Sequence, residues 1–321
     1  MRVLVTGANG LIGRALCPAL VAEGHQVVAA IRRPHALDPS VPVQQIPDIG
    51  PETSWTPLLE GTDAVVHLAA RVHVLKDPAP DPLAAYRRVN VAGTKRLAEQ
   101  AAAAGIRRFL FLSSVKVHGK GPQPYHEKDT PLPEDPYGVS KLEGEAALRN
   151  AASGTAMEAV VLRPPLVYGP GVKGNLRRLL RLCELGLPLP FGGIANRRSL
   201  IGADNLASVL CCCLTHPQAA GETFLVSDGE DVSTPELIRR IARQMHKRIA
   251  MLPIPPALLE AALRLVGKGD VAQRLLGSLT LDCGHIQARL GWRPPKSLDE
   301  GLQKTIECYL GQRKAGQKGL P

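Results

Sequence analysis

The chain is 321 residues long, 45% hydrophobic, 21% charged and only 3% aromatic, a globular composition with room for one large domain or two smaller ones. So few aromatic side chains argue against single-stranded nucleic-acid binding, which relies on stacking platforms. The net charge of +10 suits an anionic ligand, but the arginines fall in scattered pairs (Arg87-Arg88, Arg107-Arg108, Arg177-Arg178, Arg197-Arg198, Arg239-Arg240) and form no basic run, so no nucleic-acid partner is expected.

The chain opens on an apolar run, Val3-Leu4-Val5, inside a predicted strand Arg2–Thr6. Gly7, Gly10 and Gly13 follow at once, and Leu11, Ile12, Ala15, Leu16, Ala19 and Leu20 then recur at helical spacing. Strand, glycine turn and helix together are the setting in which a glycine motif carries meaning. One glycine allows the tight turn, one lets backbone approach a pyrophosphate, and one lets helix and strand pack closely. Phosphates would sit on N–H groups at the helix N-terminus. Met1 leads straight into this strand, so no signal peptide is expected.

The second predicted strand, Val27–Ile31, ends in Arg32-Arg33. An acidic residue in this region, about 20 residues past the glycines, binds the ribose 2′-hydroxyl of NAD in dinucleotide folds. Here an arginine stands instead, and a guanidinium matches a phosphate, so NADP is the expected coenzyme and NAD the alternative. Asp38 lies too far downstream to act as the missing acid. Further strands are predicted at Val43–Ile46, Ala64–Leu68, Phe109–Leu112 and Ala159–Leu162, with long helices at Leu83–Ala104 and Tyr137–Asn150. Strands alternating with helices in this way predict an α/β fold with a doubly wound (Rossmann) parallel sheet.

After Arg163-Pro164-Pro165 the segments shorten and prolines cluster. The expected division is a dinucleotide-binding domain over 1–168, a smaller, mostly helical substrate lobe over 169–311 with segments returning to the main domain, and a loose basic tail over 312–321. Pro256–Val266 reads as an amphipathic helix packed into the protein. Seven cysteines without Cys-x-x-Cys spacing suit reduced thiols in a cytoplasmic protein, and no metal site is expected. No apolar run reaches the ~18 residues of a membrane span.

The chemistry concentrates near Pro136-Tyr137-Gly-Val-Ser-Lys141, at the start of a predicted helix. An i, i+4 spacing stacks Tyr137 and Lys141 on one face. A nearby ammonium favours phenolate, so Lys141 is expected to pull the Tyr137 pKa from ~10 toward neutrality and so fit it for general acid–base work on a carbinol or ketone. Ser113-Ser114 close the strand Phe109–Leu112, on the side of an open sheet that faces its ligand crevice.

Taken together, Thr6-Gly7-x-x-Gly10-x-x-Gly13, Val65-Val66-His67-Leu68-Ala69-Ala70, Asn90-Val91-x-Gly93-Thr94, Ser113-Ser114-x-x-Val117-x-Gly119 and Tyr137-x-x-x-Lys141 resemble the extended short-chain dehydrogenase/reductase family, which includes nucleotide-sugar epimerases, reductases and dehydratases. The resemblance implies a triad of Ser114, Tyr137 and Lys141, with Ser114 selected by counting back from Gly119. It implies a coenzyme site of Gly7, Gly10, Leu11, Ile12, Gly13, Arg32, Asp48, Ile49, Ala69 and Asn90. Asn175 and Arg198 match positions that contact the diphosphate of a UDP-sugar, and Lys116 is a further candidate for substrate contact, or else points to solvent. It also implies a homodimer through the two long helices. Ser-Ser-Val-Lys-Val at 113–117 and the segment 226–236 resemble the subgroup acting on UDP-N-acetylhexosamines and their 4-keto-6-deoxy forms in surface-polysaccharide synthesis.

Dehydratases of the family carry Asp-Glu after the triad hydroxyl; here Val115-Lys116 follow, which disfavours dehydration. Reduction of a UDP-4-keto-6-deoxy-N-acetylhexosamine, for instance to UDP-N-acetylquinovosamine, is the first expectation, because Arg32 points to NADP. A UDP-glucose or UDP-N-acetylglucosamine 4-epimerase that keeps NAD bound is the second. A non-catalytic dinucleotide sensor is third, since such proteins lose the tyrosine or lysine.

Overall fold

The computed structural model describes residues 1–33, 41–72, 79–119, 121, 123–265, 267 and 269–318. Asp38 lies outside them. The chain forms two units. Unit 1 is Met1–Pro165, Asp204–Val226 and Asp282–Pro295; unit 2 is Leu166–Ala203, Ser227–Leu281 and Lys296–Pro321.

Unit 1 opens with β1 (Arg2–Thr6), α1 (Gly13–Ala22), β2 (Gln26–Ile31), β3 (Val43–Gln45), α2 (Thr56–Leu59), β4 (Ala64–His67) and α3 (Pro82–Arg87). A π-helical turn, Arg88–Gly93, joins α3 to α4 (Thr94–Ala103), followed by β5 (Arg108–Leu112), α5 (Pro136–Ala152) and β6 (Glu158–Arg163). Unit 2 takes up β7 (Leu166–Tyr168), α6 (Gly174–Leu185) and β8 (Arg198–Gly202). The chain then returns to unit 1 as α7 (Ala203–Thr215) and β9 (Thr223–Leu225). Next come β10 (Asp231–Val232), α8 (Thr234–Gln244), α9 (Pro256–Leu265) and α10 (Gly269–Leu276) of unit 2, α11 (Gly284–Leu290) of unit 1, and α12 (Leu298–Lys318) of unit 2.

Unit 1 is a seven-stranded sheet in the order β3-β2-β1-β4-β5-β6-β9, with every neighbouring pair parallel. β1, β4 and β5 are buried along almost their whole length, as continuous apolar runs in a parallel sheet should be. Phe109, Phe111, Leu4, Trp55 and Leu97 are fully buried in one cluster, each worth about 1.5–3 kcal/mol of transfer free energy. Strand order reverses between β1 and β4, so the crevice beyond their carboxyl ends is the ligand position of such a sheet. The register sets Thr6 opposite His67 there.

The structure adds to the sequence expectation and departs from it in places. The seventh strand, β9, was not predicted: it is three residues long and is recruited by β6 over Val161–Arg163. Unit 2 carries a three-stranded sheet, β10-β8-β7, beside its helices α6, α8, α9, α10 and α12; strands of two to five residues leave too little periodicity to be recognised. The segment from Gln312, expected as loose tail, continues α12 as far as Lys318; extending a helix already nucleated adds one hydrogen bond per residue fixed.

Helix α9 also departs from expectation. Leu259 is buried, but Leu258 is 62% and Leu265 89% exposed. At helical spacing Leu258 and Leu265 share one side of the helix and Leu259 and Leu263 another, and the packed side is that of Leu259. Among the described residues no helix is long and apolar enough to cross a membrane.

Candidate active site

The glycine loop follows β1. Gly7 has φ +69°, and a Cβ there would lie 2.8 Å from the Ala69 nitrogen, so both the turn and the close approach of the loop after β4 demand glycine. A Cβ on Gly13 would collide with the Ala8 backbone, which is the contact that seats α1 on β1. Gly10 N–H donates to Gly7 O at 2.9 Å. The first turn of α1 contains no acidic residue and no side-chain cap. The N-terminus of α1, with Leu11 and Ile12 leading into it, therefore has the polarity that suits a pyrophosphate.

Behind the loop runs a buried chain of hydrogen bonds. Ala69 N–H donates to Thr6 Oγ1 (3.2 Å), Thr6 Oγ1 meets His67 Nδ1 (2.6 Å), and His67 Nε2 meets Thr94 Oγ1 (3.1 Å). The Thr94 hydroxyl proton goes to Asn90 O (2.8 Å). Thr94 oxygen must then accept from His67 Nε2–H, and His67 Nδ1 accepts the Thr6 proton. Burial, and behind it the Lys141 charge, push the His67 pKa down to about 3, so the ring stays neutral and this order of donors holds. His67 appears in the sequence only as part of a family motif; its role follows from the register that brings it to Thr6.

Asn90 sits in the π-helical turn, fully engaged with the protein. Its Oδ1 accepts from Arg71 N–H (2.8 Å), and its Nδ2 donates to Arg71 O (3.0 Å) and Ser140 Oγ (2.9 Å). It ties the loop after β4 to α5. Gly144 allows this approach, because a Cβ there would lie 2.6 Å from Asn90 O.

Ser114 and Tyr137 meet at the end of β5, and Lys141 lies one turn along α5 with its Nζ over the Phe111 ring. Asp135 caps α5, its Oδ1 accepting from Gly138 N–H at 2.7 Å, and Pro136 opens the first turn. Tyr137 is hydrogen-bonded to Ser114. Ser113, by contrast, is buried and donates to Glu145 Oε1 at 2.5 Å. Glu145 in turn forms a buried pair with Arg163 (2.6 Å), whose Nη1 lies 3.2 Å from His118 Nε2. This geometry leaves Ser114, and not Ser113, beside the phenol. The Ser113–Glu145–Arg163–His118 group was missed in the sequence, where it is spread over 51 positions with no motif spacing.

The electrostatics correct one expectation. Burial pushes Tyr137 up to about 12; the Ser114 hydrogen bond works against this, while Asp135 and Tyr86 add to it. Burial likewise pushes Lys141 down to about 7, with Glu145 opposing. Lys141 is 1% exposed, and its Nζ lies 4.0 Å from the centroid of the Phe111 ring. Lys141 therefore does not pull Tyr137 toward neutrality in the protein's own field. A low-dielectric setting penalises both charged forms.

Arg32 and Asp48 form an exposed ion pair (2.9 Å) at the end of β2. Ile49 is buried against Gly93, where a Cβ would lie 2.6 Å from its side chain. Lys116 is engaged with Asp135. In unit 2, Asn175 is exposed in the first turn of α6. Arg198 opens β8, where burial lowers its pKa and its Nη1 donates to Gly277 O at 2.8 Å. Unit 2 is held by Tyr168, fully buried, which donates to Asp228 (2.6 Å).

The model of the NAD dependent epimerase/dehydratase family matches residues 3–227. A UDP-glucose 4-epimerase of Vibrio cholerae is 42% identical over 313 residues, covering 96% of this chain and 95% of that protein. A GDP-6-deoxy-D-mannose reductase of Pseudomonas aeruginosa is 28% identical, covering 96% of this chain and 97% of its own length. Among solved structures, MoeE5 in complex with UDP-glucuronic acid and NAD is 28% identical with a TM-score of 0.78, covering 98% of this chain and all of that one.

Proposed function

This chain belongs to the NAD dependent epimerase/dehydratase family, and from that premise we propose that it interconverts the C4 epimers of a UDP-sugar with a bound NAD(P). The carrying observation is the Ser114–Tyr137–Lys141 constellation at the carboxyl end of β5, on the same side of the sheet as the glycine loop. Gly7, Gly10, Leu11, Ile12, Gly13, Ile49 and Ala69 would hold the coenzyme, which supplies a hydride acceptor and donor at C4. In its phenolate form Tyr137 would take the C4 hydroxyl proton and afterwards return it; Ser114 would hold the same oxygen, and Lys141 stands one turn away on the same helix face. Neither Val115 nor Lys116 offers a carboxylate for eliminating water, which favours epimerisation or reduction over dehydration. The 42% identity to a UDP-glucose 4-epimerase along almost the whole chain supports placing the epimerase first, ahead of the reductase that the sequence favours.

One observation favours the second reading, reduction of a UDP-4-keto-6-deoxy-N-acetylhexosamine by NADPH. Arg32 stands where an acid would anchor the ribose of NAD, and its exposed pair with Asp48 is weak enough for a 2′-phosphate to displace. One measurement separates the two. The epimerase carries stoichiometric NAD after purification, seen by mass spectrometry of denatured protein, and converts UDP-glucose or UDP-N-acetylglucosamine without additions, seen by product NMR. Protein that arrives free of coenzyme and reduces a 4-keto substrate only with added NADPH refutes the first reading and establishes the second.

A further inference from the structure

The sequence leaves Lys116 open between a substrate contact and a solvated side chain. The structure gives it another partner. Lys116 follows Ser114 in a short 3₁₀ turn, Val115–Val117, whose cap is Ser114 itself, Oγ accepting from Lys116 N–H at 3.3 Å. Its ammonium pairs with Asp135 Oδ2, while Asp135 Oδ1 caps α5 at Gly138 N–H. The main chain of Lys116 reaches the same turn: a Cβ on Gly138 would lie 2.7 Å from Lys116 O. The Lys116 Nζ also stands 6.0 Å from the centroid of the Tyr137 ring. Lys116 therefore meets the first turn of α5 through both backbone and side chain.

The charges around Tyr137 explain why this grip matters. Tyr137 lies two residues after the α5 cap Asp135 and one turn before Lys141. From α3 it faces Tyr86, ring centroids 6.1 Å apart, with Arg71 of the loop after β4 lying 5.4 Å over the far ring. Arg87 of α3 is already paired with Glu143 of α5 (2.5 Å). The Asp135 charge opposes the phenolate, and Lys116 pairs with it.

We propose that Lys116 is a positioning residue: through its ion pair with Asp135 it holds the first turn of α5 in register with Ser114 and offsets the carboxylate that stands two residues before Tyr137. It is not itself an acid or base for the sugar. This rests on the reading of Tyr137 as the acid–base group, and the test separates the two.

The variants are Lys116→Met, Lys116→Arg, Asp135→Asn and the double variant Lys116→Met with Asp135→Asn. Asn caps a helix about as well as Asp, so Asp135→Asn removes the charge and keeps the cap. Two readouts are taken: the pH dependence of UDP-glucose turnover with NAD, and phenolate absorbance of each variant against the same variant carrying Tyr137→Phe. The second needs no substrate. Lys116→Met should move the Tyr137 titration and the acid limb of turnover upward by about one pH unit, the scale of one uncompensated charge at this range, and change the UDP-glucose KM by less than about twofold. Lys116→Arg should restore the parent profile. Asp135→Asn should move both downward, and the double variant should follow Asp135→Asn. A Tyr137 titration that stays in place in Lys116→Met overturns the inference; a tenfold rise in KM with the limb unmoved does so in favour of direct substrate contact. If Lys116→Met does not fold, an unmoved titration in Asp135→Asn overturns it equally. Failure of UDP-glucose turnover in the parent, or normal turnover in Tyr137→Phe, counts against the proposed reaction and leaves the phenolate titration to judge Lys116.

Discussion

Replacing Lys141 by Met should stabilise the fold while removing catalysis. Lys141 is 1% exposed, and burial takes its pKa from 10.5 to about 7. Between those values the unfolded chain binds a proton at this residue that the folded chain does not. Stability of the parent therefore rises with pH across that window and is lowest at and below the folded pKa. At about 1.4 kcal/mol per pH unit, the handicap at pH 7 is on the order of 4 kcal/mol as an upper bound. Met is unbranched, of similar length, and suits the aromatic face that Lys141 Nζ now meets. Glu145 is not orphaned by the change, because Arg163 holds it. Lys141→Met should gain roughly 2–4 kcal/mol at pH 7, with the gain shrinking to nothing near pH 10.5. Urea unfolding of parent and variant at several pH values, at matched coenzyme concentration, measures this. A variant less stable than the parent at pH 7, or a difference that does not change with pH, would refute the reasoning, since either result means the amine is not held in its neutral-favouring site.

Tyr137→Phe should keep the fold and UDP-sugar binding yet lower turnover by roughly a hundredfold or more, the scale of general acid–base catalysis; near-normal turnover would remove the phenol from the mechanism. Arg32→Ala should leave NAD affinity almost unchanged and weaken NADP by more than about tenfold if the guanidinium reads the 2′-phosphate, a charge-assisted bond being worth about 1.5–3 kcal/mol; equal titration curves for both coenzymes in parent and variant would show that Arg32 serves only Asp48. Arg163→Met strands the buried Glu145 carboxylate and should cost about 3–5 kcal/mol in urea unfolding at neutral pH; a loss under about 1 kcal/mol would mean that Ser113 and His118 do not depend on that pair.

Local covalent geometry and periodicity were enough for much of this molecule. The left-handed turn at Gly7 and the collision that a side chain at Gly13 would cause with Ala8 are properties of a few adjacent residues, and the glycines announce them. The apolar runs of β1, β4 and β5 announce buried parallel strands, and an i, i+4 spacing necessarily stacks Tyr137 and Lys141 on α5. Tertiary structure decided what those side chains experience. The expected effect of Lys141 on Tyr137 came from helical spacing alone, whereas burial is the largest influence on both groups. Arg32 meets Asp48 across the sheet edge, Lys116 meets Asp135 across 19 positions, and Ser113 meets Glu145 across 32. Strands as short as β9 and β10 exist only because β6 and β8 offer them a ladder. Desolvation, ion pairing and strand recruitment depend on which distant segments arrive at the same place, and no local pattern encodes that arrival.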